Sequence, residues 1–107
     1  MGATLADGGV NPLTRERVID AAHCKHVVAA LATAGLYERS GDWLFEIGLS
    51  GKSGGGGAIV AISPGKGGLG TLAPPLDAAG NSIKGQRVTA YLSERLGHNL
   101  FASRTFA

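Results

Sequence analysis

The chain has 107 residues, 44% of them apolar, which bounds it to one domain at most and supplies enough apolar mass for a core. Ten basic against eight acidic side chains leave a formal charge of +2, and Lys and Arg are scattered along the chain. The clustered basic face and interleaved aromatics of a nucleic-acid binder are missing, so no nucleic-acid partner is expected.

The first residues lack a basic segment leading into an apolar core, and no apolar run approaches the length of a membrane span, so no membrane partner is expected. Cys24 is the single cysteine, which excludes an internal disulfide and points to a reducing, cytoplasmic setting. Eleven of the 18 glycines fall between Gly41 and Gly70, which marks the middle third as special.

In chain order, residues 7–17 carry Asp-Gly and Asn-Pro turn signals and read as an ordered loop. Asp20 then stands where an N-cap belongs, and Cys24, Val27, Val28, Leu31 and Ala34 recur at helical spacing before Gly35, predicting an amphipathic helix over residues 21–34. Trp43, Leu44, Phe45 and Ile47 form a compact apolar cluster that reads as a short helical turn. Residues 58–63 and 69–73 are two apolar runs joined by Pro-Gly-Lys-Gly-Gly, a β-hairpin pattern. From Ser82 the helical period returns, with Val88, Leu92 and Leu96 four residues apart and Gly97 as C-terminal cap. Trp43, Phe45 and the Val88/Leu92/Leu96 stripe are expected in the core. The tail from His98 carries no pattern.

Three glycine motifs compete for a function. Gly51-Lys52-Ser53 ends like a phosphate-binding P-loop, but Glu46 stands where the first glycine is required and an apolar run, not a helix start, follows. Gly65-Lys66-Gly67-Gly68-Leu69-Gly70 spells a dinucleotide fingerprint, yet it joins two strands and lacks the helix that would hold pyrophosphate. A turn that needs positive φ explains it without a ligand. The run Gly54-Gly55-Gly56-Gly57 merges with a buried strand, which a flexible linker would not do. Glycine at a strand start often lets a ligand or another backbone approach, and main-chain N–H groups bared there can stabilise an oxyanion; by itself the run most often means a bulge or tight sheet packing. His23 and His26 lie three apart beside Cys24, but a zinc site needs three or four ligands and His98 is remote, so no metal is expected.

Lys52-Ser53-Gly54 looks like the Lys-Thr/Ser-Gly motif of serine β-lactamases and penicillin-binding proteins. The longer context is more specific. The blocks GGVNPLTRERV, AGLYERSGDW, IGLSGKSGGGGAIVAISPGK and APPLDAAGNSIKGQRV resemble, in order and spacing, the C-terminal part of the serine-dependent glutaminases, over roughly residues 3–101.

The resemblance implies hydrolysis of L-glutamine to L-glutamate and ammonia without metal or organic cofactor. It implies an α+β fold class, here a partial β-lactamase/transpeptidase-like domain with two main helices packed on an antiparallel β-hairpin. It further implies that Tyr37 touches the nucleophile and substrate, that Gly55 donates its backbone N–H to an oxyanion hole, that Lys52 acts as the motif lysine, and that Ser53 lies among the substrate contacts. Gly55 replaces a residue that is commonly valine in that family, and Ala58 one that is commonly glycine. The serine nucleophile and its lysine lie upstream of such a segment. Ser63-Pro64-Gly65-Lys66 matches Ser-x-x-Lys, but Pro64 and Gly65 oppose a helix start there, so it receives no catalytic role.

Residues 1–107 are thus expected to form the C-terminal portion of a single domain, inert alone and homo-oligomeric when complete. Two other readings stay open: a non-catalytic binding or assembly module that retains the scaffold, and a penicillin-recognising serine hydrolase.

Overall fold

The computed structural model of the chain describes residues 1–103, so the last four positions of the tail lie outside the described residues. The order of elements is α1 (Gly2–Ala6), α2 (Ala21–Ala34), a 3-10 turn (Tyr37–Arg39), α3 (Ser40–Ile47), β1 (Ser50–Ser53), β2 (Ala58–Ser63), β3 (Gly67–Leu72) and α4 (Ile83–Leu96). The strands form one antiparallel sheet in the order β1-β2-β3, with Lys52 opposite Val60 and Val60 opposite Gly70.

Strand alternation sorts the sheet into two faces. The odd-numbered face carries Ile59 and Ala61, each 2% exposed, into a core with Leu36, Trp43, Ile47 and Leu49. Leu69 of β3 and Ala90 of α4 pack against that core. The even-numbered face is covered near Ser50 and Ile62, where Ser50 Oγ donates to the Val28 carbonyl of α2 at 2.8 Å. Next to them α1 lies flat on β2 and β3, so close that a Cβ on Gly68 would stand 2.5 Å from the Ala3 nitrogen. Lys52, Ala58, Gly70 and Leu72, on that same face, stay exposed.

Several expectations hold. Asp20 caps α2 by accepting from the Ala22 N–H at 3.2 Å, and α4 starts where its period returns, with Ser82, not singled out as a cap, accepting from Gly85 N–H at 3.0 Å. Gly97 ends α4 at φ 67°, the left-handed conformation glycine takes at no steric cost. The 7–17 loop is closed by a bridge between Val10 and Arg17.

Other expectations are corrected. The hairpin is two-thirds of a three-stranded sheet: Ser50-Gly51-Lys52-Ser53 is a strand of its own, too polar and short for its period to show. The strand expected at 69–73 runs Gly67–Leu72, and the expected short turn around Trp43 is the eight-residue α3. The N-terminal α1 carried no sequence signal.

The expected core also changes. Trp43 is 2% exposed, but Phe45 is 87%, Val88 45% and Leu96 60% exposed. The reason is that α4 seats on the sheet through Gly85, Thr89 and Ser93 rather than its apolar stripe. A Cβ at position 85 would stand 2.7 Å from Thr71 Oγ1 and 3.0 Å from Ser82 Oγ, so a larger residue there would have to displace both hydroxyls. Each buried hydroxyl has an acceptor: Thr89 donates to the Gly85 carbonyl at 2.8 Å and Ser93 to the Ile47 carbonyl at 2.7 Å.

Candidate active site

The glycine run forms the turn between β1 and β2. Gly54 N–H donates to the Ala58 carbonyl at 2.9 Å and Gly57 N–H to the Gly54 carbonyl at 3.0 Å. Gly57 requires glycine, since its φ is 93° and a Cβ would lie 2.8 Å from the Pro74 nitrogen. Gly55 and Gly56 are exposed at the tip, and their N–H groups have no hydrogen-bond partner among the described residues. The free donors thus sit on the turn before β2 and not at the start of the strand itself. Gly55 itself does not line the open cavity of about 660 Å³ that Lys52, Ser53 and Gly54 border together with Val60 and Gly70.

Beside this turn stands Tyr37, half exposed and held at φ 54°. An aromatic residue in the left-handed region is a backbone outlier, costing about 1–3 kcal/mol, and such strain persists where its surroundings over-determine it. Here the neighbours are identifiable. Ser40 Oγ accepts from Leu36 N–H at 2.9 Å and donates to the Tyr37 carbonyl at 2.8 Å. Arg39 N–H and Asn81 Nδ2 both donate to the Leu36 carbonyl, each at 3.1 Å. The carbonyl of the peptide that leads into Tyr37 is therefore held by two donors, and Ser40 ties the peptides on either side of it.

The structure brings Tyr37 and Lys52 together across 15 positions of sequence: Lys52 Nζ lies 4.7 Å from the centroid of the Tyr37 ring, within cation–π range. The same ammonium donates to the Ser53 carbonyl. Lys52 is exposed, so its charge faces the open side of β1.

Ser53 departs from expectation. It is 3% exposed, and its hydroxyl donates to Asn81 Oδ1 at 2.5 Å, so it is turned into the protein instead of toward a substrate. Its N–H donates to the Gly35 carbonyl at 3.1 Å, tying β1 to the end of α2.

Asn81, Asp77 and Ser40 were not singled out in the sequence, whose only signal for them was the Asp-x-x-Gly-Asn spacing of a side-chain-closed turn. Asp77 anchors that turn. Its carboxylate accepts from Gln86 Nε2 at 2.9 Å, Ala79 N–H at 2.9 Å and Asn81 N–H at 3.1 Å. The Gln86 hydrogen bond first, then these backbone donors and the Arg39 charge, hold its pKa below the usual carboxylate value, against an opposing effect of burial.

A carboxyl whose pKa is lowered on folding adds stability above its unfolded pKa and loses it as pH falls through the native value. Asp77→Asn should therefore lower the urea midpoint at pH 7, and the two midpoints should converge as both proteins are titrated into the acid range. A gap that persists undiminished in acid would show that the charge of Asp77 contributes nothing.

His23 and His26 are exposed on α2, while Cys24 is buried and unpaired. Among the described residues no group of three His, Cys, Asp or Glu is placed to hold a metal ion, and no helix is long and apolar enough to cross a membrane.

Comparison with known proteins identifies the family of the chain. The Glutaminase family model matches residues 1–101. Glutaminase 2 of Yersinia pestis is 66% identical over 106 residues, covering 99% of this chain and 31% of the relative. Glutaminase 1 of Escherichia coli K12 is 50% identical over 101 residues, covering 94% of this chain and 33% of the relative. Among solved structures, a probable glutaminase, ybaS, superposes with a TM-score of 0.93 at 50% identity, covering 95% of this chain and 33% of that one. A Bacillus subtilis glutaminase in covalent complex with 5-oxo-L-norleucine superposes with a TM-score of 0.89 at 30% identity, covering 94% of this chain and 37% of that one. The chain thus spans about a third of the length of the relatives it matches, and its α+β arrangement is part of their β-lactamase-like fold. It belongs to the glutaminase family.

Proposed function

We propose that this chain supplies one side of the active site of an enzyme that hydrolyses L-glutamine to L-glutamate and ammonia, as the C-terminal portion of a single glutaminase domain. The observation that carries the reading is the strained Tyr37 held against Lys52, next to a turn with free main-chain donors. Strain of that kind is stored where geometry has a use.

The roles follow from chemistry. Attack on the side-chain amide by a serine supplied from outside this segment places negative charge on the carbonyl oxygen, and the Gly55 N–H is the donor offered to it. The Tyr37 ring stands against the Lys52 ammonium, and its hydroxyl is a side-chain group that can both donate to and accept from the nucleophile or substrate. Lys52 supplies the charge and attracts the carboxylate of the amino-acid substrate. Ser53 bounds the site and carries Lys52 on its carbonyl. The solved relative bound to 5-oxo-L-norleucine supports the reading, because that compound presents a ketone where glutamine has its side-chain amide carbonyl. No metal or organic cofactor takes part. The lone, buried Cys24 fits a cytoplasmic setting, and exposed Phe45, Val88 and Leu96 fit assembly of the complete protein into a homo-oligomer.

The test is a chimera in which this chain replaces the matching third of the Yersinia pestis Glutaminase 2. The chimera should release ammonia from L-glutamine, while this chain alone releases none. A chimera that folds but leaves glutamine intact, alongside an active parent enzyme, would refute the proposal.

A further inference from the structure

We infer that Asn81 is a positioning residue for Tyr37, acting through the Leu36 carbonyl; the inference rests on the reading of Tyr37 as an active-site residue. Asn81 is 0% exposed, and its amide joins two segments that are distant from it and from each other in sequence. Nδ2 donates to the Leu36 carbonyl at 3.1 Å and Oδ1 accepts from Ser53 Oγ at 2.5 Å. The orientation of the amide is fixed by chemistry, because a carbonyl can only accept and so must face the NH2 side. Its main chain is equally committed: Asn81 N–H donates to Asp77 Oδ1 at 3.1 Å, and its carbonyl accepts from Asp77 N–H at 2.8 Å.

The Leu36 carbonyl belongs to the peptide immediately before the strained Tyr37. Rotation of that peptide is the motion that would release φ of Tyr37 from 54° toward an ordinary value. Asn81 opposes it together with Arg39 N–H, which donates to the same carbonyl, while Ser40 holds the two flanking peptides. The loop of residues 77–81 also places Gly80 against the ring, with a Cβ there only 4.0 Å from Tyr37 Cε2. The buried amide thus couples the angle at which Tyr37 meets Lys52 to the position of β1.

Asn81→Asp separates the two arms. When ionised, the introduced carboxylate still accepts from Ser53 but sets oxygen against the Leu36 carbonyl, and the peptide is pushed away. When protonated, the introduced carboxyl has a donor again and restores the contact. Asp77, bonded to the same main chain, and burial both raise the pKa of an aspartate placed there. Lys52 and Tyr37, the other titratable groups near Ser53 and Leu36, and Arg39 near Asp77, are present in every variant. Ser53→Ala, by contrast, cuts the β1 arm and spares Leu36.

In the chimera, Asn81→Asp should lower kcat at pH 8 by about 30-fold or more with KM within about threefold, and should regain at least about tenfold relative to the unaltered chimera as pH falls toward 5. Independently of turnover, the ring-current shift of the Lys52 ε-methylene NMR signals should shrink in Asn81→Asp at pH 8, return in acid, and survive in Ser53→Ala. Unchanged Lys52 signals in Asn81→Asp would overturn the inference, as would an equal loss of the Lys52 shift in Ser53→Ala. If the unaltered chimera is inactive, the proposed function fails and the NMR series still decides the role of Asn81.

Discussion

Gly55→Pro in the chimera should lower kcat for glutamine hydrolysis by about 10²–10³, with KM moved by less than about threefold, because proline deletes the one main-chain N–H that the proposal asks to meet the oxyanion. The position tolerates the change sterically. Gly55 does not take a positive φ, and a Cβ there would meet nothing within 4 Å. The turn does not need its N–H either, since closure comes from Gly54 and Gly57. The residue before the new proline is Gly54, which accepts the restriction a following proline imposes. Gly55→Ala and Gly55→Val keep the donor and should retain activity within about threefold, stiffening the turn tip. Kinetics of ammonia release, with melting curves to show that all three variants fold, decide the matter. Equal losses in Gly55→Ala and Gly55→Pro would remove the N–H from the mechanism.

How much of this was legible in the chain depends on which physical signal each element uses. Helices α2 and α4 announce themselves through caps as much as through period: Asp20, Ser82 and Gly97 each do the job their side chains, or the lack of one, suit them for. The strands β2 and β3 are apolar runs around a Pro-Gly turn, and Gly65 takes φ 74° there. What escapes hydrophobic patterning is close packing through small residues. The buried face of α4 is Gly85, Thr89 and Ser93, none of which reads as core, while the apolar Val88 and Leu96 on its other faces read as core and are exposed. The strand β1 escapes for the same reason, being Ser-Gly-Lys-Ser with three of four residues buried.

The site divides in the same way. Lys52-Ser53-Gly54 and Gly35-Leu36-Tyr37 were legible as motifs, but nothing in their spacing says that an ammonium stands over a ring, because that contact depends on a positive φ at a residue that rarely adopts one. The four consecutive glycines are indistinguishable by letter, yet only Gly57 is compelled to be glycine by its own backbone. The inward turn of Ser53 is set by a partner 28 residues away, Asn81, whose buried amide has no local signature. Long-range polar contacts of this kind are written in three dimensions only.

The largest structural effect should come from Gly35→Ala, which is expected to cost about 3 kcal/mol or more, at the upper end of what overpacking does. Gly35 follows α2 and looks like an ordinary helix-stopping glycine, but its φ is −71°, which any residue can adopt. Its necessity lies outside the backbone angles. A Cβ at position 35 would fall 1.7 Å from the Gly51 carbonyl oxygen and 2.6 Å from the Leu31 carbonyl oxygen, both main-chain atoms that cannot swing aside. Relief requires α2 and β1 to part, which breaks the hydrogen bond from Ser53 N–H to the Gly35 carbonyl and disturbs the Trp43 ring packed under Gly51. Trp43, the single tryptophan and 2% exposed, therefore reports the event, and a urea titration followed by its fluorescence gives the change in midpoint. Gly41→Ala is the matched control: it lies exposed in α3 with nothing within 4 Å of its Cβ, and should stabilise by about 0.5–1 kcal/mol. If Gly35→Ala unfolds at the same urea concentration as the unaltered chain, the close approach of α2 to β1, and with it the seating of Tyr37 against Lys52, is wrong.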